Sequence, residues 1–132
     1  MKRTLYILIF LLFANSLYAI NYKPIYIGDS ICNGIMIRDQ SGNPIVPAAN
    51  DVVTLTLKRS LNSAATLIVI TGVYSTTHLT DDRPYNFSFN ASSTSTENFG
   101  TGDAYWILCI TNSVTIKRTI IDVSKVTIKQ GL

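Results

Sequence analysis

Apolar and polar residues alternate strictly in two stretches of the chain, and this alternation limits the possible folds more than any other feature. Residues 51–59 read DVVTLTLKR, with Val53, Leu55 and Leu57 on one side and threonine or lysine on the other. Residues 85–89 read YNFSF, with three aromatic residues on one side. A period of two places successive side chains on opposite faces of a β-strand. The pattern therefore predicts an all-β domain.

Short runs rich in valine, isoleucine, threonine and tyrosine fill the rest of the chain, separated by turn-forming residues. Counting these runs predicts roughly seven or eight strands, and an antiparallel β-sandwich of two packed sheets is the economical arrangement. Residues 67–71, LIVIT, are predicted to be either a buried strand or a strand that passes between the sheets. Trp106 lies in the apolar run at residues 105–111 and is predicted to be a core residue.

The first nineteen residues are typical of an export signal. Lys2 and Arg3 precede an unbroken apolar run at residues 5–13, which is too short for a typical membrane span. We expect a hydrophobic leader helix at residues 1–19, a single domain at residues 20–132, and no membrane contact beyond the leader. Cleavage would release the domain into the periplasm or the medium, and an uncleaved N-terminal anchor is the alternative.

The net charge of the domain gives no indication of a nucleic-acid partner. The whole chain has 11 basic and 8 acidic residues, but Lys2 and Arg3 belong to the leader. Basic residues near the C-terminus occur singly between β-branched residues, as on a solvated strand face: Lys117, Arg118, Lys125 and Lys129. We therefore expect no nucleic-acid binding.

The chain contains two cysteines, Cys32 and Cys109. An even number of cysteines in an exported chain suggests a disulfide. A Cys32–Cys109 bridge would close a loop spanning most of the domain and would stabilise it by about 4 kcal/mol. Two separate buried thiols are the alternative, because the strand pattern does not force both side chains onto facing surfaces.

Residues 25–45 read IYIGDSICNGIMIRDQSGNPI, which predicts two strands that meet at a Gly-Asp pair and end in a Gly-Asn-Pro turn. Together with residues 51–59, this segment resembles the immunoglobulin-like N-terminal domains of phage baseplate upper proteins, and residues 119–132 are similar to their last hairpin. The resemblance rests on six residues: Gly28, Asp29, Asp39, Gly42, Asn43 and Pro44. It implies an immunoglobulin-like β-sandwich in a virion, in contact with other protein subunits. The export signal is a departure from that family, whose members assemble in the cytoplasm.

Residues 28–31, Gly-Asp-Ser-Ile, follow an apolar strand and resemble the nucleophile block of GDSL-type esterases. In those enzymes a distant histidine activates the serine, and an aspartate three residues before the histidine orients it. The single histidine here is His78, and Ser75 stands where that aspartate should be. The alternating strands and helices of that fold are not predicted either. We therefore interpret the block as a turn and predict no enzymatic activity and no cofactor.

Two other groups of residues are candidate binding sites. His78, Asp81 and Asp82 could supply metal ligands, but one histidine with two adjacent carboxylates in a polar loop is a weak set, so we predict no metal site. In a solvated loop without a metal ion, Arg83 would pair with a neighbouring aspartate. The aromatic residues could form a binding surface, although their alternation in a strand favours the core: Tyr74, Tyr85, Phe87, Phe89 and Phe99.

The sequence contains no convincing set of catalytic residues. It therefore favours a non-enzymatic structural domain that acts through protein–protein contacts. We expect a small phage virion component of the tail, baseplate or capsid. A secreted or periplasmic bacterial binding domain, of the adhesin or accessory-subunit kind, is the alternative. The predicted contact surfaces are the strand edges at residues 22–27 and 125–130 and the loop at residues 91–102, which is rich in serine and threonine.

Overall fold

Strands make up almost all of the regular structure in the computed structural model, which describes residue 20 and residues 22–131. The eight strands are β1 (Ile25–Tyr26), β2 (Ile31–Ile35), β3 (Asp51–Lys58), β4 (Ile68–Thr71), β5 (Val73–Tyr74), β6 (Phe87–Ala91), β7 (Gly102–Asn112) and β8 (Arg118–Lys129). A single 3₁₀ turn at Ser93–Ser95 is the one helical element in this part of the chain. The predicted all-β class is confirmed, and the predicted leader helix lies outside the described residues.

The strands form two sheets, as the sequence predicts. The larger has five strands in the order β1-β8-β7-β3-β4, and the smaller has three in the order β2-β6-β5. Neighbouring strands are antiparallel except β1, which runs parallel to β8. The chain passes directly from the larger to the smaller sheet twice, between β1 and β2 and between β4 and β5. Residues 67–71 therefore end at a crossing between sheets, in line with one of the two predicted alternatives.

Gly72 makes the second crossing possible. A Cβ atom at this position would lie 2.7 Å from Cε1 of Phe89, a fully buried ring of the smaller sheet. Only glycine leaves room for the backbone to turn this closely against the core.

The core lies between the two sheets and follows the predicted alternation. Val53, Leu55 and Leu57 of β3 are buried, and so are Trp106 and Leu108 of β7. The smaller sheet and its flanking loops contribute a matching set: Ile31, Ile35, Ile37, Phe87, Phe89 and Phe99. The prediction that Trp106 is a core residue is confirmed, and most of the aromatic residues considered as a binding surface are core residues as well.

The two cysteines are free thiols on different sheets, so the predicted disulfide is not present in this structure. Cys32 is exposed on β2, where the neighbouring Ile31 faces the core. Cys109 is buried on β7 but faces outward, since the adjacent Leu108 belongs to the core and Arg118 Nε donates a hydrogen bond to Cys109 Sγ at 3.2 Å. The two side chains point away from each other on opposite outer faces of the domain.

The prediction of an edge strand at residues 125–130 is wrong for the last residues of β8, which have a strand on both sides. The last residues of β8 lie between β7 and β1, since Ile128 and Lys129 pair with Ile25 and Tyr26. The edge predicted at residues 22–27 is correct for β1, which closes that side of the larger sheet. β1 is only two residues long, so it covers a small part of the twelve-residue β8.

We expect Trp106→Ala to lower the free energy of unfolding by about 3–5 kcal/mol, because it empties the largest fully buried side-chain volume of the domain. Trp106→Phe keeps most of that volume and removes the indole N–H, which has no hydrogen-bond partner in the part of the chain that the structure describes, so its cost should be much smaller. Urea denaturation of both variants measures the difference. Equal stability of wild type and Trp106→Ala would contradict this description of the core.

Candidate functional site

The Gly-Asp-Ser block is a tight turn between β1 and β2. Gly28 has a φ of +85°, and Asp29 N donates to Tyr26 O at 3.1 Å. Thr96, a buried residue from the loop after β6, fixes the turn from the side. Its Oγ1 accepts a hydrogen bond from Gly28 N at 3.0 Å and donates one to Asp29 O at 2.8 Å. The block thus has a structural explanation, which the sequence did not reveal because Thr96 is one of several threonines in its loop.

The structure does not bring Ser30 and His78 together. Ser30 precedes Ile31, which pairs with Ala91 at one end of the β2–β6 ladder. His78 belongs to the loop before β6, at the opposite end of the ladder, where Ile35 pairs with Phe87. The length of β2, about 16 Å at 3.3 Å per residue, separates the two ends. This separation is far greater than the hydrogen-bond distance that a serine and its general base require.

His78 interacts with its own loop. Its Nδ1 lies 2.7 Å from Asp81 Oδ2, and its ring stacks on Tyr85 with centroids 4.4 Å apart. Within the described residues, Arg83 forms no ion pair and no group of three or more potential ligands could hold a metal ion. The contacts of His78 therefore organise the loop.

The loop at residues 91–102 is anchored at several points. Thr96 and Phe99 are buried, and the guanidinium of Arg59 donates hydrogen bonds to the carbonyl oxygens of Gly100, Thr101 and Asp103. The other residues of the loop from 92 to 102 are exposed, so most of this predicted contact surface is open to a partner. Arg59 was not singled out from the sequence, where it is simply the last residue of an alternating strand.

Three loops meet at the other end of the domain: residues 36–50, 75–86 and 113–117. We call this region the loop end. Asn86 is fully buried there, accepts a hydrogen bond from Ile37 N, and donates to the carbonyl oxygens of Ile37 and Ile45 at 2.9 and 3.1 Å. Ser113 N donates to Asn50 O at 2.8 Å. These bonds tie all three loops to one another.

The loop end exposes large apolar side chains. Val46 is 74% exposed, Val114 is 69% exposed and Ile116 is 81% exposed. Ile116 also has a φ of 54°, an unusual value for a β-branched residue. Such side chains at the tips of well-anchored loops form a candidate contact surface, which the sequence analysis did not identify.

A second candidate surface is the free side of β8. Within the described part of the chain, β8 pairs with β1 only at its last two positions, so residues 118–127 pair with a strand on one side only. Ile20, before β1, lies near this side, where Ser124 Oγ donates to its carbonyl oxygen at 3.4 Å. We call this side the open β8 edge. Ile27 N donates to Lys129 O, so the backbone polar groups of Lys129 face β1. Because these groups alternate in direction along a strand, those of Val123, Lys125 and Thr127 point out from the open β8 edge.

The segment before β1 covers part of the core-facing side of β7. Tyr22 packs against Trp106 with ring centroids 6.0 Å apart, and among the described residues neither the Tyr22 hydroxyl nor Trp106 Nε1 has a hydrogen-bond partner. Burial raises the pKa of Tyr22 above its ordinary value, and the nearby Asp122 carboxylate raises it further. Ser124 Oγ donates to Asp122 Oδ2 at 2.6 Å, which keeps the carboxylate hydrogen-bonded.

No family model matches this chain, and no curated protein matches it significantly. Among the residues that the structure covers, no helix has the length and hydrophobicity needed to cross a membrane.

Asn86→Ala should lower the free energy of unfolding by about 2–4 kcal/mol, because it leaves Ile37 N and Ile45 O without partners and leaves Ile37 O with only the bond from Ile45 N. Asn90→Ala, at an exposed position on β6, is the matched control and should change stability by less than about 0.5 kcal/mol. Thermal and urea unfolding measure both. Similar costs for the two variants would show that Asn86 does not hold the loop end together.

Stability should fall at alkaline pH because of Tyr22. Its pKa is higher in the folded chain than in the unfolded chain, so the neutral phenol favours folding below the ordinary tyrosine pKa of 10.0, and this contribution is lost as the pH rises past that value. Tyr22→Phe removes the titrating group and the unpaired hydroxyl. The variant should match or exceed wild-type stability at pH 8 and should lose less stability by pH 11, as measured by urea unfolding. An identical loss in both proteins would be evidence against the buried phenol.

Proposed function

We propose that the chain is an immunoglobulin-like domain that works by contacting other proteins and has no enzymatic role. We further propose that it is a small structural component of a phage particle. The observation that carries the proposal is the open β8 edge. An unpaired edge of this kind is a template on which another chain can add a strand.

The strand order supports the immunoglobulin-like assignment. In variable-type immunoglobulin domains, one sheet contains strands B, E and D, and the other contains G, F and C with C′ added beyond C. If β2 is lettered B, the strands that follow it along the chain, β3 to β8, are C, C′, D, E, F and G. The smaller sheet, β2-β6-β5, then has the order B-E-D, and β8-β7-β3-β4 of the larger sheet has the order G-F-C-C′. The crossing at Gly72 then joins C′ to D.

The cysteines occupy the strands that carry the disulfide of antibody domains, but not the same faces. Cys32 lies on β2 and Cys109 on β7, the strands lettered B and F. Moving a residue by one position along a strand turns its side chain to the other face. The core positions next to the cysteines hold Ile31 and Leu108. Apolar packing therefore fills the place that a bridge occupies in antibody domains.

The phage assignment rests on the resemblance of residues 25–45 to baseplate domains, and the residues that carry it lie in two turns. Gly28 and Gly42 both have a φ of +85°, which explains glycine at each turn. Asp39 Oδ1 accepts hydrogen bonds from Ser41 N and Asn43 N, which closes the second turn. The residues that carry the resemblance thus build the two turns that shape this segment.

A secreted or periplasmic binding domain is the second candidate, and the loop end favours it. Its exposed Val46, Val114 and Ile116 lie on loops that are tied to the domain by hydrogen bonds. Binding residues are often carried on loops that a rigid scaffold positions. In this alternative the partner would contact the loop end and leave the open β8 edge free.

Lys125→Pro tests the proposed edge contact. Proline removes a backbone N–H that points away from β7, so the β7–β8 ladder stays intact while strand addition is blocked. Lys125→Ala is the matched control, since both variants lose the exposed ion pair with Asp103 but alanine keeps the N–H. Each protein would be expressed in its native source and isolated with its partners by crosslinking mass spectrometry.

We expect wild type and Lys125→Ala to crosslink to other chains of a particle, and Lys125→Pro to lose those crosslinks. Incorporation of Lys125→Pro at the wild-type level would mean that the edge is not the contact. Recovery of the wild-type protein alone, with no crosslinks to another chain, would contradict the assembly proposal and favour the secreted binding domain.

A further inference from the structure

The inner side of β8 carries a carboxylate where an apolar core residue would be expected. Asp122 pairs in register with Leu108, and Ser124 pairs with Trp106. Register partners on antiparallel strands share one face of the sheet, and Leu108 and Trp106 face the core. Asp122 and Ser124 therefore point to the core side of the sheet, and both are half-buried.

Asp122 has no cation beside it in the part of the chain that the structure covers. The aspartates that form ion pairs there are Asp81 and Asp103. The hydrogen bond to the Asp122 carboxylate comes from the neighbouring hydroxyl, since Ser124 Oγ lies 2.6 Å from Asp122 Oδ2. A charge that is partly withdrawn from water is normally paired with an opposite charge. The position of Asp122 therefore calls for a cationic partner.

The lysines of β8 are not placed to supply that cation. They lie on the outer face of the sheet, because they alternate with the buried Val126 and Ile128. Lys125 is in addition paired with Asp103 on that face, with Nζ 3.1 Å from Oδ2. The partner of Asp122 must come from the other side of the strand, where the segment before β1 lies.

Ile20, in that segment, lies beside the carboxylate. Its carbonyl oxygen is 3.4 Å from Ser124 Oγ, and its half-buried side chain packs against the core. The nitrogen and the carbonyl oxygen of one residue are three bonds apart, so the Ile20 nitrogen is within about 3.7 Å of that oxygen. Tyr22 is near as well, since burial and the Asp122 carboxylate together raise the pKa of its hydroxyl. The backbone from Ile20 to Tyr22 therefore passes close to Asp122.

The sequence predicts a chemical change at the same residue. The predicted leader ends with Ser16-Leu17-Tyr18-Ala19, which is a plausible cleavage site. When a processing protease hydrolyses the Ala19–Ile20 peptide bond, the oxygen of one water joins the Ala19 carbonyl carbon to give a carboxylate. Both hydrogens of that water end on the Ile20 nitrogen, which becomes an ammonium group. The pKa of an α-amino group is ordinarily about 8, so most of these groups are charged at neutral pH.

We propose that Asp122 binds the α-ammonium group that processing creates on Ile20. Before cleavage the same nitrogen belongs to an uncharged amide and cannot form an ion pair. After cleavage it supplies the missing cation, at the place where Ile20 already lies against Ser124. The inference goes beyond the proposed function and does not depend on which partner the domain contacts.

The ion pair gives the segment before β1 a second attachment to the domain. Tyr22 in this segment covers Trp106, with ring centroids 6.0 Å apart. β1 itself has two residues, so its pairing with β8 retains the segment at one end only. An ion pair at Ile20 holds the other end on the core side of the open β8 edge. The processed domain is therefore more stable than the same domain with a blocked amine.

The experiment compares the processed protein with a free and with an acetylated N-terminus. The full chain is expressed with its leader in its native source, and intact mass gives the first residue of the purified protein, which should be Ile20. One portion is acetylated at about pH 6.5, where the α-amino group reacts while lysines stay protonated. Thermal melts are recorded for both portions of wild type and of Asp122→Asn, which removes the charge and keeps an oxygen for Ser124.

Asp122→Asn should lower the melting temperature of the free-amine protein by roughly 4 °C and leave that of the acetylated protein unchanged. Asp103→Asn is the matched control, since it removes an aspartate charge from an exposed ion pair and should act equally on both forms. The pKa of the α-amino group, measured from the pH dependence of the acetylation rate, should be about one unit higher in wild type than in Asp122→Asn. A carboxylate with a purely structural role would not change that pKa.

Three results would overturn the proposal: a purified protein whose first residue is not Ile20, an equal effect of Asp122→Asn on both forms, or an equal α-amino pKa in the two proteins. If Asp122→Asn does not fold, acetylation of wild type gives the test by itself. It should lower the melting temperature by roughly 4 °C, and no change would contradict the ion pair. All of these measurements use the purified protein without a partner, so their failure is distinguishable from failure of the proposed function.

Discussion

Packing between the inner faces of the two sheets is the interaction on which the rest of the structure depends. Each strand gives every second side chain to this contact, and the residues in between must face outward. Trp106 and Leu108 point inward on β7, so Ile107 and Cys109 lie on the outer face. The positions of the two free thiols and of the exposed side chains on the outer faces of both sheets follow from this division. The core therefore determines which surfaces the domain can present.

Local patterns in the sequence were sufficient to predict the class of fold. Residues 51–59 alternate cleanly because β3 lies inside a sheet with one face on the core. The apolar run at residues 67–71 predicted a possible crossing, and Gly72 provides it by its close approach to Phe89. The position of β8 was not predictable in the same way. In the sheet, β8 lies between β7, which precedes it along the chain, and the very short β1, which is near the N-terminal end of the sequence. A pairing between residues so far apart in the sequence cannot be recognised from a local pattern.

The contacts that shape the candidate sites join residues that are distant in the sequence. Thr96 bonds to a turn 67 residues earlier, and Asn86 bonds to a loop segment 49 residues earlier. Each looks like an ordinary polar residue of a loop or strand end. The Gly-Asp-Ser block shows the converse case, in which a local motif suggests catalysis while the strand ladder separates Ser30 from His78. The roles of these side chains can be assigned only once the strand order is known.

The open β8 edge is the feature that connects the fold to its proposed role, and hydrogen exchange tests it directly. Amide exchange would be measured by mass spectrometry for the isolated protein and for the same protein within the particle or complex from which it is purified. We expect the amides of Val123, Lys125 and Thr127 to exchange rapidly in the isolated protein and to become protected in the assembly, since an added strand would accept their hydrogen bonds. Equal, rapid exchange of these three amides in both states would contradict this expectation.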